Sequence, residues 1–410
     1  MEESKGLPPN KRGRFRRLLD RRPTRRQVLE SAALVAVAGT VGSVSPQNHP
    51  QAFPGDLSPF QPRLRVFRDR LHDKARGWIM AGVESITRPA EKKEDSFVYT
   101  VDVAQLMEHF AAMADIEPYL KLRDFAVKHL IINKLDDPYT RGFVLWKCVP
   151  DTTPDASGTT EALRVAKALW AGGNQFNRPE DKETAVMILG GYLQHANTDQ
   201  GIWLIRNYFG FGTRSFANNT FVIDYDADFI RTVADASKGD ASRYDWLSKL
   251  ADNSYTLMRR TKAPTGLLYD LVQPELKTMY WGLDVTAFSP NDVIQTNNAC
   301  TTAATIAVGA PEMARSLLSF LVGKFQANNK LHQYYYGRTG EAVNNWGLGS
   351  AETASVVRLA ALLGDRVAVA TFIQTGLVYW ESVSTSADAS QAWGVSELLM
   401  GLRAAIALGN

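Results

Sequence analysis

Residues suited to sugar chemistry recur at the starts of predicted helices. In the segment from Asp155 to Trp170, the carboxylates of Asp155 and Glu161 bracket the start of an amphipathic helix. Two carboxylates can serve as acid and base in the cleavage of a glycosidic bond, while amides can bind sugar hydroxyls and aromatic rings can cover sugar C–H faces. The full set is Tyr99, Asp102, Asp155, Glu161, Tyr225, Asp226, Asp228, Asp292, Gln295, Asn297, Asn344, Asn345, Trp346, Glu352, Asp388, Gln391 and Trp393. This mixture indicates carbohydrate chemistry if the fold brings its members together.

Helical periodicity extends through most of the chain. Leu163, Ala166 and Leu169 lie on one face of a predicted helix, and Ser157 and Thr159 ahead of them are residues that favour helix N-termini. Twelve such patterns lie near 62–85, 99–114, 117–133, 159–173, 179–197, 225–237, 241–260, 292–308, 311–327, 348–363, 365–382 and 391–407. Each has the length of an ordinary globular helix, so an all-α fold is expected.

The connections between these helices alternate between short and long. Short links such as 238–240 and 309–311 make antiparallel hairpins, whereas the links between hairpins are longer and rich in Gly, Pro, Asn and aromatic residues. The first helix of each hairpin is rich in small residues, as at Ala303 and Ala354, which suits packing on both sides. The pattern predicts an (α/α)6 toroid of six helical hairpins over residues 51–410, closed by the 391–407 helix against 62–85. A two-layer α-solenoid is the alternative.

In such a toroid, the long loops gather at the N-terminal ends of the inner helices, where the polar and aromatic set also lies. Each of these residues has a structural alternative, because Asp and Glu favour first helical turns and Trp346 and Trp393 can be core residues. The functional interpretation therefore depends on their convergence on one rim. Long loops in a compact domain are commonly functional.

This arrangement resembles the family 8 glycoside hydrolases, a group of endoglucanases that includes bacterial cellulose-synthesis hydrolases. The segment D-A-S-G-T-T-E-A-L-R-V-A-K-A-L-W is similar to the family's A-[ST]-D-[AG]-D helix start, with Thr160 and Ala162 at its two aspartate positions. The segment 266–270 resembles its G-x-x-P-D-W motif, and 291–295 resembles its Y-D-A-I-R motif. Asp102 takes the position of the acid in its S-E-G motif.

The resemblance implies an inverting glycoside hydrolase that acts on a β-linked glycan. In that interpretation Asp292 is the general base, and Asp102 or Glu161 is the general acid. The expected substrate-binding residues are Asp155, Tyr225, Asp228, Gln295, Trp346, Glu352 and Trp393, with the aromatic ones as sugar platforms. No cofactor is implied, and the expected partner is a polysaccharide or oligosaccharide bound by a monomer.

Two other functions remain open at this stage. A polysaccharide lyase on the same toroid needs a base and a group that neutralises a uronate, roles for Tyr225 with Arg206 or Arg338. A non-catalytic protein for glycan binding or assembly is the second alternative. A metal site has no support, because the six histidines show no HxH or HExxH spacing.

The N-terminus predicts export. Arg25 and Arg26 precede a short apolar run at 31–38, which is the layout of a twin-arginine signal. We therefore expect a signal and leader over residues 1–50, and a periplasmic or secreted protein. The first 30 residues hold ten basic and four acidic residues, and the remainder has 36 basic against 39 acidic. The body of the chain thus gives no electrostatic case for binding nucleic acid, and no stable membrane span is expected.

Overall fold

The computed structural model describes residues 55–410, apart from 91, 150–151, 274–276 and 280–291. The predicted signal at 1–50 lies outside these residues. The described part of the chain contains twelve α-helices, which match the predicted twelve. They are α1 (Gln61–Ala81), α2 (Thr100–Ala112), α3 (Ile116–Phe125), α4 (Thr159–Gln175), α5 (Pro179–Gln194), α6 (Ala227–Ala236), α7 (Ala241–Thr261), α8 (Thr296–Ala304), α9 (Pro311–Asn328), α10 (Ser350–Leu362), α11 (Arg366–Ser386) and α12 (Ala392–Gly409).

The even-numbered helices form the inner ring of an (α/α)6 toroid, which confirms the predicted fold class. Helices α2 and α4, α8 and α10, and α10 and α12 pack on each other, and α12 returns to α2. A 3-10 turn at Val222–Asp224 contacts both α4 and α8 and completes the ring above α6. The odd-numbered helices pack outside. The closing contact of α12 with α1 was predicted, and there Gln61 Nε2 donates to the Ala405 carbonyl at 3.3 Å.

Glycines allow the helices to approach closely where the layers meet. A Cβ atom at Gly172 of α4 would lie 2.0 Å from the ring of Tyr119 on α3. A Cβ atom at Gly401 of α12 would lie 2.6 Å from the Ala354 carbonyl of α10. Because real Cβ atoms do not approach so closely, a larger residue at either position would push the helices apart.

Helix α6 is displaced along the ring axis relative to its neighbours. The amide of Asp228, in its first turn, donates to the carbonyl of Thr305 at 3.0 Å, and Thr305 is the residue at which α8 ends. Helix α6 therefore begins at the level where α8 finishes. Its first turn does not reach the rim that the other inner helices share.

Short strands connect the helices at the rim. In the described residues they are β1 (Val98–Tyr99), β2 (Lys147–Cys148), β3 (Ala196–Asp199), β4 (Ile202–Ile205), β5 (Phe209–Gly210), β6 (Ser215–Phe216), β7 (Thr220–Phe221), β8 (Leu271–Gln273), β9 (Lys277–Met279), β10 (Val293–Gln295) and β11 (Tyr334–Tyr336). Strand β1, ahead of α2, pairs antiparallel with β2, which lies ahead of α4. Strand β10, ahead of α8, pairs antiparallel with β11, which lies ahead of α10. The loops are thereby fixed at the mouth of the ring.

One stretch in the described residues, Ala389–Gly409, is long and apolar enough to cross a membrane. It contains α12, and 61% of it is buried within the protein. Its apolar character is accounted for by its place in the inner ring, where it packs against α2, α10 and α1.

Candidate active site

Glu161 is a buried carboxyl group in the first turn of α4. The residue is 7% exposed, and burial raises its pKa to about 7, against opposing effects from its own amide, the nearby Arg164 and the Tyr99 side chain. A Cβ atom at Gly158 would lie 1.9 Å from Glu161 Oε2, so only glycine leaves room for the carboxyl group to fold over the helix start. A carboxyl group with this pKa is partly protonated at neutral pH and can donate a proton.

The segment ahead of Glu161 is held on both sides by backbone hydrogen bonds. Ser157 N donates to the Phe209 carbonyl at 3.0 Å, and Gly158 N donates to the Val144 carbonyl at 2.8 Å. Ser157 Oγ also lies 3.1 Å from His195 Nε2, and both residues are about 1% exposed. Burial lowers the pKa of His195 to about 4, so the ring is neutral at physiological pH. These contacts hold the backbone that carries Glu161 in one position.

Asp102, the other predicted acid, is bound by Arg88. Arg88 Nε and Nη2 donate to the two oxygens of Asp102 at 2.8 and 2.6 Å, and Asp102 is fully buried. Burial raises the pKa of this carboxyl group, but both hydrogen bonds from the guanidinium act in the opposite direction. Each carboxylate oxygen accepts from Arg88, and this bidentate pair favours the ionised form of Asp102. Among the described residues Glu161 has no comparable ion pair.

An aromatic wall stands beside Glu161. The rings of Phe97, Tyr99 and Trp146 lie with their centroids 5.7–6.4 Å apart, and the Arg88 guanidinium lies 4.4 Å from the Tyr99 ring centroid. Trp146 Nε1 donates to Asp155 at 2.8 Å, so Asp155 orients this wall from its exposed position. Sequence analysis placed only Tyr99 in the candidate set. Trp146 is brought alongside by the antiparallel pairing of β1 with β2. No local sequence pattern predicts that pairing, so Trp146 could not be identified from the sequence.

A polar network lies deeper in the ring. Gln105 Nε2 donates to Glu397 Oε1 at 2.6 Å, Ser396 Oγ donates to Gln105 Oε1 at 2.6 Å, and Arg164 lies 3.7 Å from the same Glu397 oxygen. Sequence analysis missed Glu397, which is 2% exposed in the middle of an apolar helix. Glu352 lies near it in the first turn of α10, and burial raises the pKa of Glu352. Of the predicted site residues, Glu161 is electrostatically coupled to this network through Arg164, and Glu352 is coupled to it through Glu397.

Asp292, the predicted base, is held in a defined orientation. Its Oδ1 accepts from the Tyr269 hydroxyl at 2.9 Å and from the Arg338 amide at 3.0 Å. The Arg338 guanidinium lies 3.4 Å from the same oxygen, and the residue is 4% exposed. A second buried carboxyl group, Asp270, accepts from the Gln295 amide at 3.3 Å, and burial raises its pKa to about 8. Gln295 therefore contributes its backbone to this part of the rim.

The two predicted tryptophan platforms differ in exposure. Trp346 is 45% exposed and packs edge-on against Tyr334, with centroids 6.2 Å apart. Trp393 is half-buried in the first turn of α12, where its carbonyl accepts from Ser396 Oγ. Trp346 keeps a ring face accessible to a ligand, as a platform requires.

Two predicted binding residues lie away from the rim. Tyr225 is fully buried, and its hydroxyl accepts from the Ile205 amide at 2.7 Å. No sugar can stack on it in this fold. The Asp228 carboxylate accepts from the Tyr255 hydroxyl and from the Val308 and Gly309 amides, so it joins α6 to the end of α8. Both residues lie below the rim because α6 begins deeper than the other inner helices.

No cluster of three or more His, Cys, Asp or Glu side chains suited to a metal ion occurs in the described ranges.

The fold is shared with known glycoside hydrolases. No protein-family model matches the chain, and no curated protein matches its sequence. Among solved structures, an α-amylase from Clostridium perfringens is similar over 82% of this chain and 97% of its own, with a TM-score of 0.63 and 15% identity. A cold-adapted family 8 xylanase is similar over 88% and 95%, with a TM-score of 0.62 and 14% identity. A reducing-end-xylose releasing exo-oligoxylanase is similar over 86% and 94%, with a TM-score of 0.61 and 13% identity. The chain therefore has a distant structural resemblance to the family 8 and six-hairpin glycosidases.

Proposed function

We propose that this protein is a glycoside hydrolase that cleaves a β-linked polysaccharide with inversion of configuration. The observation that carries the proposal is Glu161, a buried carboxyl group with a pKa of about 7 at the mouth of the ring. Its neighbours include an aromatic wall that suits a sugar face. The similar structures include an amylase and xylanases by description, which supports a carbohydrate substrate.

Glu161 would act as the general acid. Its protonated form would donate to the glycosidic oxygen as the bond to the anomeric carbon breaks, so that the leaving sugar departs as a neutral alcohol. The Arg164 charge and the Tyr99 hydroxyl would then stabilise the carboxylate that remains, because both favour its ionised form. Because Glu161 must lose and regain a proton in each turnover, its pKa has to lie near the working pH, and burial raises the pKa to that range.

Asp292 would act as the general base. Tyr269 and the Arg338 amide both donate to Oδ1, so the carboxylate is oriented. Within the described residues Oδ2 accepts no such hydrogen bond, and it would hold the water molecule. Asp292 would take one proton from that water as its oxygen attacks the anomeric carbon from the face opposite the leaving group. Inversion requires about 6.5–9.5 Å between the acid and base carboxyl groups.

Aromatic side chains would bind the sugar units. Trp146 and Tyr99 stand on the Glu161 side, Trp346 comes from the loop before α10, and Trp393 lies in the first turn of α12. A hydrogen bond from Trp146 to Asp155 fixes the indole plane. We assign these four rings as platforms.

Export is proposed on the basis of sequence alone. Arg25 and Arg26 stand four residues before the short apolar run at 31–38, as in a twin-arginine signal. Lysine at both positions should abolish export, with the precursor retained inside the cell on fractionation. Unaltered export of that variant would refute the twin-arginine route.

The test of the activity is a screen for reducing-sugar release across a polysaccharide panel. A hydrolase gives new reducing ends without ultraviolet absorbance, whereas a lyase gives an unsaturated product that absorbs. Asp292→Asn should lower turnover by about 10²–10⁴-fold while sugar binding persists. The matched control is Asp365→Asn, an aspartate that caps an outer helix. Sugar binding without any release across the panel would instead indicate a glycan-binding protein.

A further inference from the structure

An arginine without a carboxylate partner lies on the rim beside the start of α4. Arg206 directly follows β4, and the carbonyl of the next residue, Asn207, accepts from the Thr159 amide at 3.0 Å. Thr159 is the first residue of α4, two residues before Glu161. Sequence analysis identified Arg206 as a group that could neutralise a uronate, and the proposed mechanism does not use it. The backbone of Arg206 is thus tied to the segment that carries the proposed acid.

The guanidinium of Arg206 is held along one edge and against one face. Its Nε donates to the His195 carbonyl at 2.8 Å, and Nη2 lies 3.5 Å from the Ala196 carbonyl. Its Cζ lies 3.7 Å from the centroid of the Phe216 ring, and the residue is half-buried. Since α5 ends at His195, the positive charge also suits the C-terminus of that helix. The plane of the guanidinium is therefore fixed.

Most of the donors of this guanidinium remain free. An arginine has five N–H donors, and two of those of Arg206 have acceptors among the described residues. The carboxylates of the adjoining segments, at Asp137, Asp155 and Asp199, form no ion pair with it within that part of the chain. Asp155 instead lies 3.8 Å from Lys147 Nζ. The free end of the fork, formed by the two Nη groups, can therefore bind an anion from solution.

The aromatic wall beside Glu161 continues along the rim to this arginine. Trp146 Nε1 donates to Asp155, and the Asp155 carbonyl accepts from the Phe211 amide at 3.0 Å. Phe211 lies in the turn between β5 and β6, and β6 ends with Phe216, on which Arg206 stacks. A glycan that extends outward from the proposed acid along this wall therefore comes to the free end of Arg206.

We propose that Arg206 binds the carboxylate of a uronate, and that the substrate is a β-linked polysaccharide that carries uronic acid. This inference rests on the proposed hydrolase function and names its substrate class. The free end of the fork presents donors in one plane, which match the two oxygens of a carboxylate. Because Phe216 already fixes that plane, little conformational entropy is lost on binding. Tyr225, the base of the lyase alternative, is fully buried, so Arg206 has a binding role.

The experiment measures dissociation constants of the full chain for two pairs of polysaccharides, each pair sharing a backbone and differing in uronate content. One pair is hydroxyethyl cellulose and cellulose oxidised at C6 to the polyuronate, and the other is linear xylan and glucuronoxylan. Glu161→Gln protein is used throughout, so that no polymer is cleaved. In at least one pair the uronate-bearing member should bind roughly tenfold more tightly. This advantage should shrink as the salt concentration rises.

Three variants in that background make the test specific. Arg206→Gln should bind the uronate-bearing polymer no better than the neutral one, and its unchanged affinity for the neutral polymer shows that the fold is intact. Arg206→Lys keeps the charge and loses the planar fork, so it should retain part of the preference. The control is Arg243→Gln, which makes the same change in net charge beside the hairpin turn at 238–240, at the end of the ring opposite the rim. It should bind as the parent does.

Equal affinities within both pairs, or no binding to either uronate-bearing polymer, would overturn the proposal. So would a preference that persists in Arg206→Gln, or one that Arg243→Gln loses equally, because net charge would then account for it. Failure of this inference differs from failure of the proposed function. Hydrolysis of neutral polymers without a uronate preference leaves the hydrolase in place. A uronate preference that depends on Arg206, in a protein that releases no reducing sugar, leaves the binding site in place instead.

Discussion

The Tyr99 side chain, at the start of α2, acts on the Glu161 carboxyl group, at the start of α4, and favours its ionised form. Burial raises the pKa of Glu161 to about 7, and the effect of Tyr99 limits the rise. The pair therefore links the aromatic wall to the ionisation of the proposed acid. A change in Tyr99 should alter the pH dependence of the proposed activity as well as the affinity for sugar.

Tyr99→Phe is expected to shift the pH–rate profile. The Tyr99 hydroxyl favours the ionised form of Glu161, so its removal should raise the pKa of Glu161 and extend activity toward alkaline pH. The limb of the profile that falls with rising pH should move upward, by less than one unit, in measurements of kcat against pH. A downward shift would show that Tyr99 does not stabilise the carboxylate. Tyr139→Phe, a change at a half-exposed tyrosine elsewhere, should leave the limb in place.

Arg88→Met is expected to destabilise the fold because it leaves Asp102 buried without its partner. The loss should be about 3 kcal/mol in the free energy of unfolding by denaturant titration. Adding Asp102→Asn should recover part of it, because the uncompensated charge is then gone. The control is Arg63→Met, whose pair with Glu381 has side chains 51% and 56% exposed, and which should cost less than about 1 kcal/mol. Equal losses at both sites would contradict this account of the buried pair.

How far the sequence predicts this molecule depends on the range of the interactions. Helical periodicity and short links are local, so the twelve helices and the ring closure could be predicted. The pairing of Arg88 with Asp102 could not, because Arg88 lies in a loop that is positioned by its backbone bridge to Phe97. The burial of Tyr225 could not be predicted for a similar reason. Its burial results from the displacement of α6 along the ring, which no pattern within 225–237 encodes.

Tyr225→Phe separates structure from function at that position. The hydroxyl accepts from the buried Ile205 amide, so its removal should cost about 1–3 kcal/mol in unfolding free energy. Turnover and sugar affinity should not change, because Tyr225 does not reach the rim. Trp146→Ala provides the contrast and should weaken sugar binding severalfold. A loss of sugar affinity in Tyr225→Phe at unchanged stability would restore the original assignment.

Stability should fall in mild acid because His195 is buried as the neutral ring. Burial lowers its folded-state pKa to about 4, below the value of about 6.5 in an unfolded chain. The unfolded state therefore binds more protons between those values, and stability is lost as the pH falls through that window. Between pH 7 and pH 5 this contributes about 2 kcal/mol. His195→Gln should reduce the loss of unfolding free energy between pH 7 and pH 5 by that amount. His129→Gln, at an exposed histidine, should leave that loss unchanged. An unchanged slope in His195→Gln would exclude His195 as its source.

The most direct test of the central claim measures turnover of Glu161→Gln on two glycosides of the same sugar. One is a polysaccharide, whose departing oxygen needs a proton, and the other is an aryl glycoside, whose phenolate leaves without one. If Glu161 is the general acid, turnover of the polysaccharide should fall by about 10²–10⁴-fold, while turnover of the aryl glycoside should fall far less. Glu312→Gln, a first-turn glutamate of the outer helix α9, should match the parent on both. Equal losses on the two glycosides, or parental turnover of the polysaccharide by Glu161→Gln, would contradict the assignment of Glu161.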